Sequence, residues 1–474
     1  MHFLEWFSIF IVSCIGFTAA GHALLHKRDS RSALGWVAVC LTFPLAGPTL
    51  YILFGVNRVR RSASRMRRAR TTIYPASLST SAHSDYVLSS SLPQYSKRIA
   101  QVGHSILGTP CLGGNCVEPL YNGDQAYPAM LAAIESATQS IYLASYILAA
   151  DSSGKRFIYA LEQAMSRGVD VRVLVDGIGE KYSWPFISRV LRKTNIPVAL
   201  FTPPHFFPPE LHLNLRNHRK ILVVDGQIGF TGGMNIRQGH VLAKALAAST
   251  TDLHFAVRGP IVTQLQDVFV EDWFFATAKQ LTPPVTQADP RGDCLCRAVV
   301  NGPDAQSECL NALLTGVIST ATHNIRIMTP YFLPPRSFLG ALLSARHRGV
   351  QVDIILPSTN NIPLVHWAAQ HILGDLAQAD IHIWFQPPPF CHTKLLLIDT
   401  CYVHLGSANL DSRSLRLNFE LTLEVFDTGL ARTLRHHFNA IKKISQPLNT
   451  DKLAARNMPT RLRDAFFWLF SPYL

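Results

Sequence analysis

Charge is scarce in this 474-residue chain, and acids are the scarcer sign. Asp, Glu, Lys and Arg make up 16% of it, with 31 acids against 44 Lys and Arg. A formal charge of +13 excludes an acidic, solvating chain and points to an anionic contact, either nucleic acid or an acidic lipid surface. There is no Gly-rich Walker loop and no carboxylate cluster suited to a metal, so neither a P-loop phosphate cradle nor bound magnesium is expected. The nine cysteines are an odd number. Cys294-Leu-Cys296 and Cys111…Cys116 have no matching partner pairs, which argues against zinc and for free thiols in a reducing compartment. Cys391 reads as a structural thiol. The opening Met1-His2-Phe3-Leu4-Glu5 lacks the basic start of a cleaved signal peptide.

Apolar residues, by contrast, make up 48% of the chain, and much of that share is concentrated at the start. Phe3 to Leu25 and Ala33 to Val56 are two apolar runs, each as long as the roughly 20 residues that cross a bilayer. Pro44, Gly47 and Pro48 interrupt the second. Asn57 to Arg70 then carries seven arginines and no acid, against three basic residues in the connector Lys27 to Arg31. Basic flanks mark the cytoplasmic side, so the expectation for residues 1–56 is a transmembrane hairpin. Residues 57–110 read as a basic juxtamembrane patch for anionic headgroups followed by a Ser-rich linker.

Within the remaining chain, Asn217 to Asn235 carries His218 and Lys220 ahead of the apolar run Ile221 to Val224. The run closes on Asp225, with Gly232-Gly-Met-Asn235 beyond. Positions i and i+2 of a strand share a face, which would aim imidazole and ammonium into one cleft. His392, Lys394, Asp399 and Asn409 each lie 174 residues beyond His218, Lys220, Asp225 and Asn235. A lone His-x-Lys is usually incidental, whereas two copies in register, each with its downstream Asn, are not.

These motifs resemble the phospholipase D superfamily, whose members carry two His-x-Lys-x4-Asp motifs, and within it the bacterial cardiolipin synthases. Arg216-Asn-His-Arg-Lys220, Thr329-Pro-Tyr-Phe332 and the run Gly406 to Glu420 carry the finer likeness. The resemblance implies an α/β fold of two duplicated α/β/α halves, 111–288 and 289–474, sharing one cleft. Strand–helix–strand patterns at Ser140 to Val175 and Asn324 to Leu356 agree with that and suggest a mostly parallel sheet.

Transfer at a phosphodiester needs a nucleophile, an acid for the leaving alkoxide and donors for the anionic oxygens. His218, Lys220, Asp225, His392, Lys394 and Asp399 form the candidate catalytic set. The two aspartates are read as structural, with any chemical role indirect. Asn235, Asn409 and Ser407 are the candidate phosphate donors. The resemblance implies that Asp252 and Glu420 orient the imidazoles, that His218 forms a phosphohistidine and that His392 is the acid. It also implies a cytoplasmic-membrane enzyme acting on phosphatidylglycerol among anionic lipids, with no cofactor and no nucleic acid. Phe206, Phe207 and Phe390, in proline-rich loops before the motifs, and the aromatic stretch Arg461 to Leu474 either pack on the domain or touch lipid.

Overall fold

The structure, a computed structural model, describes residues 2–27, 30–55, 94–202, 216–244, 246, 248–284, 288–302 and 308–472. The chain forms two compact units, Met1–Arg70 and Thr71–Leu474. The arginine run after Val56, most of the Ser-rich stretch, and Phe206 and Phe207 lie outside the described residues.

In the first unit, the helix His2–His26 is long and apolar enough to cross a membrane. The second apolar run departs from the expected hairpin. Its helix Ser30–Thr42 has 13 residues, or about 20 Å at 1.5 Å per residue, short of a hydrocarbon core of about 30 Å. The chain breaks at Phe43–Leu45 and folds back through Ala46–Leu50 and a π-helical turn, Tyr51–Gly55. Tyr51 thereby packs against Trp36 at 5.3 Å and its hydroxyl meets His22 Nδ1 at 2.8 Å. The reversal uses Gly47, where a Cβ would collide with the Val39 carbonyl oxygen. Hydropathy counted the run's length, but the proline and glycine positions set its path.

The second unit is built on one 15-stranded sheet. Its strands are β1 (Leu112–Tyr121), β2 (Ser140–Ser145), β3 (Asp170–Asp176), β4 (Val198–Phe201), β5 (Ile221–Val224), β6 (Ile228–Gly232) and β7 (Leu253–Arg258), then β8 (Cys294–Asn301), β9 (Asn324–Met328), β10 (Gln351–Pro357), β11 (His382–Gln386), β12 (Leu395–Ile398), β13 (Tyr402–Gly406), β14 (Glu420–Phe426) and β15 (Gln446–Pro447). Outward from the central β1–β8 pair, one wing runs β1-β7-β6-β5-β2-β3-β4 and the other β8-β14-β13-β12-β9-β10-β11, with β15 on the far edge. Each strand of the first wing thus has a counterpart seven strands later.

The sheet is not mostly parallel. Only β2–β3–β4 and β9–β10–β11 pair in parallel. Parallel neighbours need a crossover, supplied by such helices as Ser152–Ser166 and Arg336–His347. β5–β6 and β12–β13 are tight hairpins and so antiparallel.

Helices cover both faces of each wing. On β2, Ile141 and Leu143 join the core containing Phe157 and Leu161, while Tyr142, pointing the other way, stacks on Phe269 of the helix Ile261–Thr277. On β10, Val352 and Ile354 enter the second core, and Asp353 pairs with Lys442 of the helix Thr428–Ile444 on the opposite face. The Ser-rich linker ends sooner than expected. Gln94–Leu107 is a helix that contributes Ile99 and Ala100 to the second wing's core, so burial of those residues overrides the polar composition just before them.

Candidate active site

Both His-x-Lys segments are extended chain immediately ahead of β5 and β12, and each is pinned by backbone from the other wing. The His218 amide donates to the Phe419 carbonyl at 2.9 Å, and that of His392 to Thr251 at 2.8 Å. One residue beyond each of these carbonyls stands a carboxylate. The orientation of the rings is therefore crossed. His218 Nδ1 lies 3.0 Å from Glu420 and 3.1 Å from the Ser407 carbonyl, and His392 Nδ1 lies 2.9 Å from Asp252. These partners only accept, so Nδ1 carries the hydrogen in both rings and Nε2 keeps its lone pair.

Lys220 and Lys394 each donate to the carbonyl of their own motif histidine, at 2.6 and 2.5 Å. The two half-sites feel one another: Lys220 and His218 both bear on His392, and Glu420 and Asp252 each bear on both lysines. Burial pushes Lys220 down to about 7 and Lys394 to about 8. Burial also lowers both histidines. For His218 the Glu420 charge opposes this, whereas for His392 the neighbouring Lys394, Lys220, His218 and Arg237 deepen it. Without an anion beside them, these surroundings favour the neutral form of both rings.

Depressed lysines lose their charge at lower pH than ordinary ones, so the cleft attracts anions best below about pH 7. Competitive inhibition by a dialkyl phosphate, whose own charge is constant there, should weaken roughly tenfold or more between about pH 6.5 and pH 9. Affinity that is flat across that range would rule out the lysines as the anion donors.

Asn235 accepts the Ile147 amide on Oδ1 at 3.2 Å, and Asn409 carries a buried amide oxygen with no partner among the described residues. Turning the Asn409 amide over would present an N–H at that point. Ser407 departs from its expected role as a phosphate donor. Its buried hydroxyl donates to Glu420 at 2.5 Å and accepts from the Leu421 amide at 3.0 Å, leaving it to fix the carboxylate instead. The matching position is Gly233, where a Cβ would sit 2.5 Å from Asp252. The glycines just before, Gly232 and Gly406, have φ of 148° and 143°. What they admit at close range is the neighbouring strand rather than a ligand.

Asp225 and Asp399 stand just beyond the ends of β5 and β12, where their carboxylates are taken up by hydrogen bonds. Asp225 accepts from the amides of Thr138, Gln139 and Ser140 and from the Thr138 hydroxyl. Asp399 makes the same four contacts with Thr322, His323 and Asn324. Both have φ of 52°, and both tie a hairpin to the start of β2 or β9. Burial alone would raise Asp225, but its donors outweigh burial and hold it low.

Some of the surroundings went unread in the sequence. Tyr146 packs its ring 5.1 Å from His218 and lies beneath Lys220. Phe390, which the sequence offered as packed on the domain or touching lipid, lies 6.1 Å from His392 and 6.4 Å from Tyr331. Beneath the first motif, buried Arg219 pairs with Asp272 at 2.5 Å and donates to the carbonyls of Glu420 and Asn301. Asn217 also donates to Asp272, at 2.9 Å. The signal for Asp272 was present, as a carboxylate on the apolar face of Ile261–Thr277 beside Val268, Phe269 and Trp273. Thr393 fills the place of Arg219 in the second motif, so the clamp exists on one side only. Among the described residues, no group of three or more His, Cys, Asp or Glu is placed to hold a metal.

The family described as cardiolipin synthase, phospholipase D-like domain matches twice, at residues 130–273 and 314–442, and the phospholipase D-nuclease N-terminal family matches residues 7–55. The chain is 31% identical to cardiolipin synthase A of Pseudomonas putida (strain KT2440) over 440 residues, covering 90% of this chain and 89% of that protein. It is 32% identical to cardiolipin synthase A of Pseudomonas aeruginosa (strain LESB58), covering 89% and 86%. Among solved structures, the phosphatidylserine synthase of Haemophilus influenzae Rd KW20 superposes with a TM-score of 0.62 at 14% identity, over 79% of this chain and all of that one.

Proposed function

The chain belongs to the cardiolipin synthase family of phospholipase D-like proteins, and from that premise we propose that it converts two phosphatidylglycerols into cardiolipin and glycerol through a phosphohistidine. The observation that carries this reading is the crossed pairing of His218 with Glu420 and of His392 with Asp252. It leaves both Nε2 atoms unblocked, so that one can attack phosphorus while the other carries a proton to the leaving oxygen, the division of labour double displacement requires. We read the two wings of the sheet as a duplication that brings these half-sites together.

His218 Nε2 attacks phosphorus while the bond to the leaving glycerol oxygen breaks, and His392 Nε2–H protonates that oxygen. His392 acquires this proton when the substrate's negative charge enters and offsets the lysines that otherwise depress it. Lys220, Lys394, Asn235 and Asn409 hold the phosphoryl oxygens through the transition state. In the second step a glycerol hydroxyl of another phosphatidylglycerol attacks, its proton passes to His392, and the phosphorus–nitrogen bond breaks.

A lipid acceptor outcompetes water because the interface concentrates one and thins the other. The N-terminal helix keeps the chain at a membrane, and the arginines from 58 to 70 favour the cytoplasmic side of a bacterial inner membrane for the catalytic unit. Purified protein given headgroup-labelled phosphatidylglycerol in vesicles is expected to release glycerol in step with cardiolipin. Phosphatidic acid as the main lipid product would make it a hydrolase instead.

A further inference from the structure

The helix Met458–Trp468 is divided lengthwise between two environments. Its inner side is fastened to the helix Pro363–Gln378: Phe467 and Arg463 cover Trp367 at 5.2 and 4.5 Å, and Trp468 lies on His371 at 4.7 Å. Asp464 is buried there, accepting from Arg456 and Arg463. The outer side is apolar and bare. Leu462 is 63% exposed, Phe466 54%, Leu469 64% and Phe470 45%, with Met458 one turn earlier on the same face. Spacings of three and four residues place these side chains in one stripe, and Phe466 packs on Phe470 at 5.3 Å. A contiguous apolar stripe of this kind marks a contact surface.

Charge and position identify the occupant. From Lys452 to Pro472 the chain carries Lys452, Arg456, Arg461 and Arg463, and its one acid is the buried, paired Asp464. Exposed Asp451 stands just ahead of this stretch, and the cations are still in excess beside the face. An exposed apolar face in such surroundings suits anionic lipid headgroups over acyl chains. The helix on which Met458–Trp468 packs, Pro363–Gln378, begins near the site. Trp367 lies one turn from Leu364, and Ile362 stands just before that helix, both exposed apolar residues. The Tyr331 hydroxyl donates to neighbouring Asn361 at 2.7 Å, and Tyr331 leads through Phe390 to His392.

We propose that the Leu462–Phe466–Leu469–Phe470 face is an interfacial lipid-binding surface that seats the second wing on anionic membrane beside the cleft mouth. This rests on the synthase reading only in taking a bilayer as the site of work. The helix lies shallowly in the headgroup layer and lets lipid enter the cleft past Ile362 and Phe390 without leaving the interface.

The test is made on the full chain in phosphatidylglycerol vesicles. With benzoylphenylalanine incorporated at position 466, illumination is expected to attach a phospholipid, read by mass spectrometry. Attachment to a second copy of the chain, or to no lipid, overturns the proposal. This readout needs no turnover, so it stands apart from any failure to make cardiolipin. The pair Leu462→Ser and Phe466→Ser should raise the apparent KM for vesicle lipid about tenfold or more at unchanged kcat. The same variant should match the parent on short-chain phosphatidylglycerol dispersed in detergent. Equal losses on both substrates would mean a packing role and overturn the proposal, as would no change on vesicles.

Discussion

His218→Ala and His392→Ala should each lower turnover of phosphatidylglycerol by at least about ten-thousandfold, because neither step of the exchange has another group to perform it. The two losses differ in kind, and a substrate with a nitrophenol leaving group separates them. That leaving group departs without a proton, so His392→Ala is expected to give a burst of one nitrophenol per site and then stall as phosphohistidine. His218→Ala should give no burst.

The two environments support the proposed assignment. Glu420 accepts from His218, Ser407 and Asn418. Burial would raise it, but His218, Lys220 and these donors outweigh burial and hold it below the usual range. A firmly ionised carboxylate on Nδ1–H enriches Nε2 of His218 for attack. Asp252 is pushed up by burial and is met by His392 and the Leu253 amide. His392 is held well below the usual histidine range by burial and by the surrounding cations, so once protonated it gives up the proton readily. A burst from His218→Ala would reverse the roles.

Asp272→Ala is the second change with a large expected effect, this time on stability. Arg219 and Asp272 are both almost wholly buried, and removing one partner leaves the other charge stranded at a cost of about 3–5 kcal/mol. Thermal unfolding of the detergent-solubilised chain would show it. The double change Arg219→Met with Asp272→Leu strands no charge and should recover most of that stability, since desolvation of such a pair roughly cancels its attraction. It should not recover full activity. Arg219 Nε holds the carbonyl of Glu420 at 3.2 Å, so kcat should stay low with KM little altered. A double variant as unstable as Asp272→Ala would show that the network works by packing rather than by charge.

The doubled spacing of His, Lys, Asp and Asn was legible in the sequence because strand geometry is local. An i, i+2 pair ahead of an apolar run needs only the pleat to aim it, and both copies indeed precede buried strands. The helices at Ser152–Ser166 and Arg336–His347 likewise follow from local periodicity. Four matters had to await the tertiary structure, each because it depends on which distant surfaces meet. Ser407 could have faced phosphate or Glu420, and only the fold showed its hydroxyl consumed by the carboxylate. The second apolar run had the length of a span, but its path turns on Gly47 lying against Val39. The sheet's direction depends on where crossovers replace hairpins, so most of it came out antiparallel. Most consequential is the crossing itself. Two similar half-sites offer two ways to pair rings with carboxylates, and spacing along the chain does not choose between them. The choice was made where Phe419 and Thr251 each present a backbone carbonyl to the opposite motif, fixing Glu420 on His218 and Asp252 on His392.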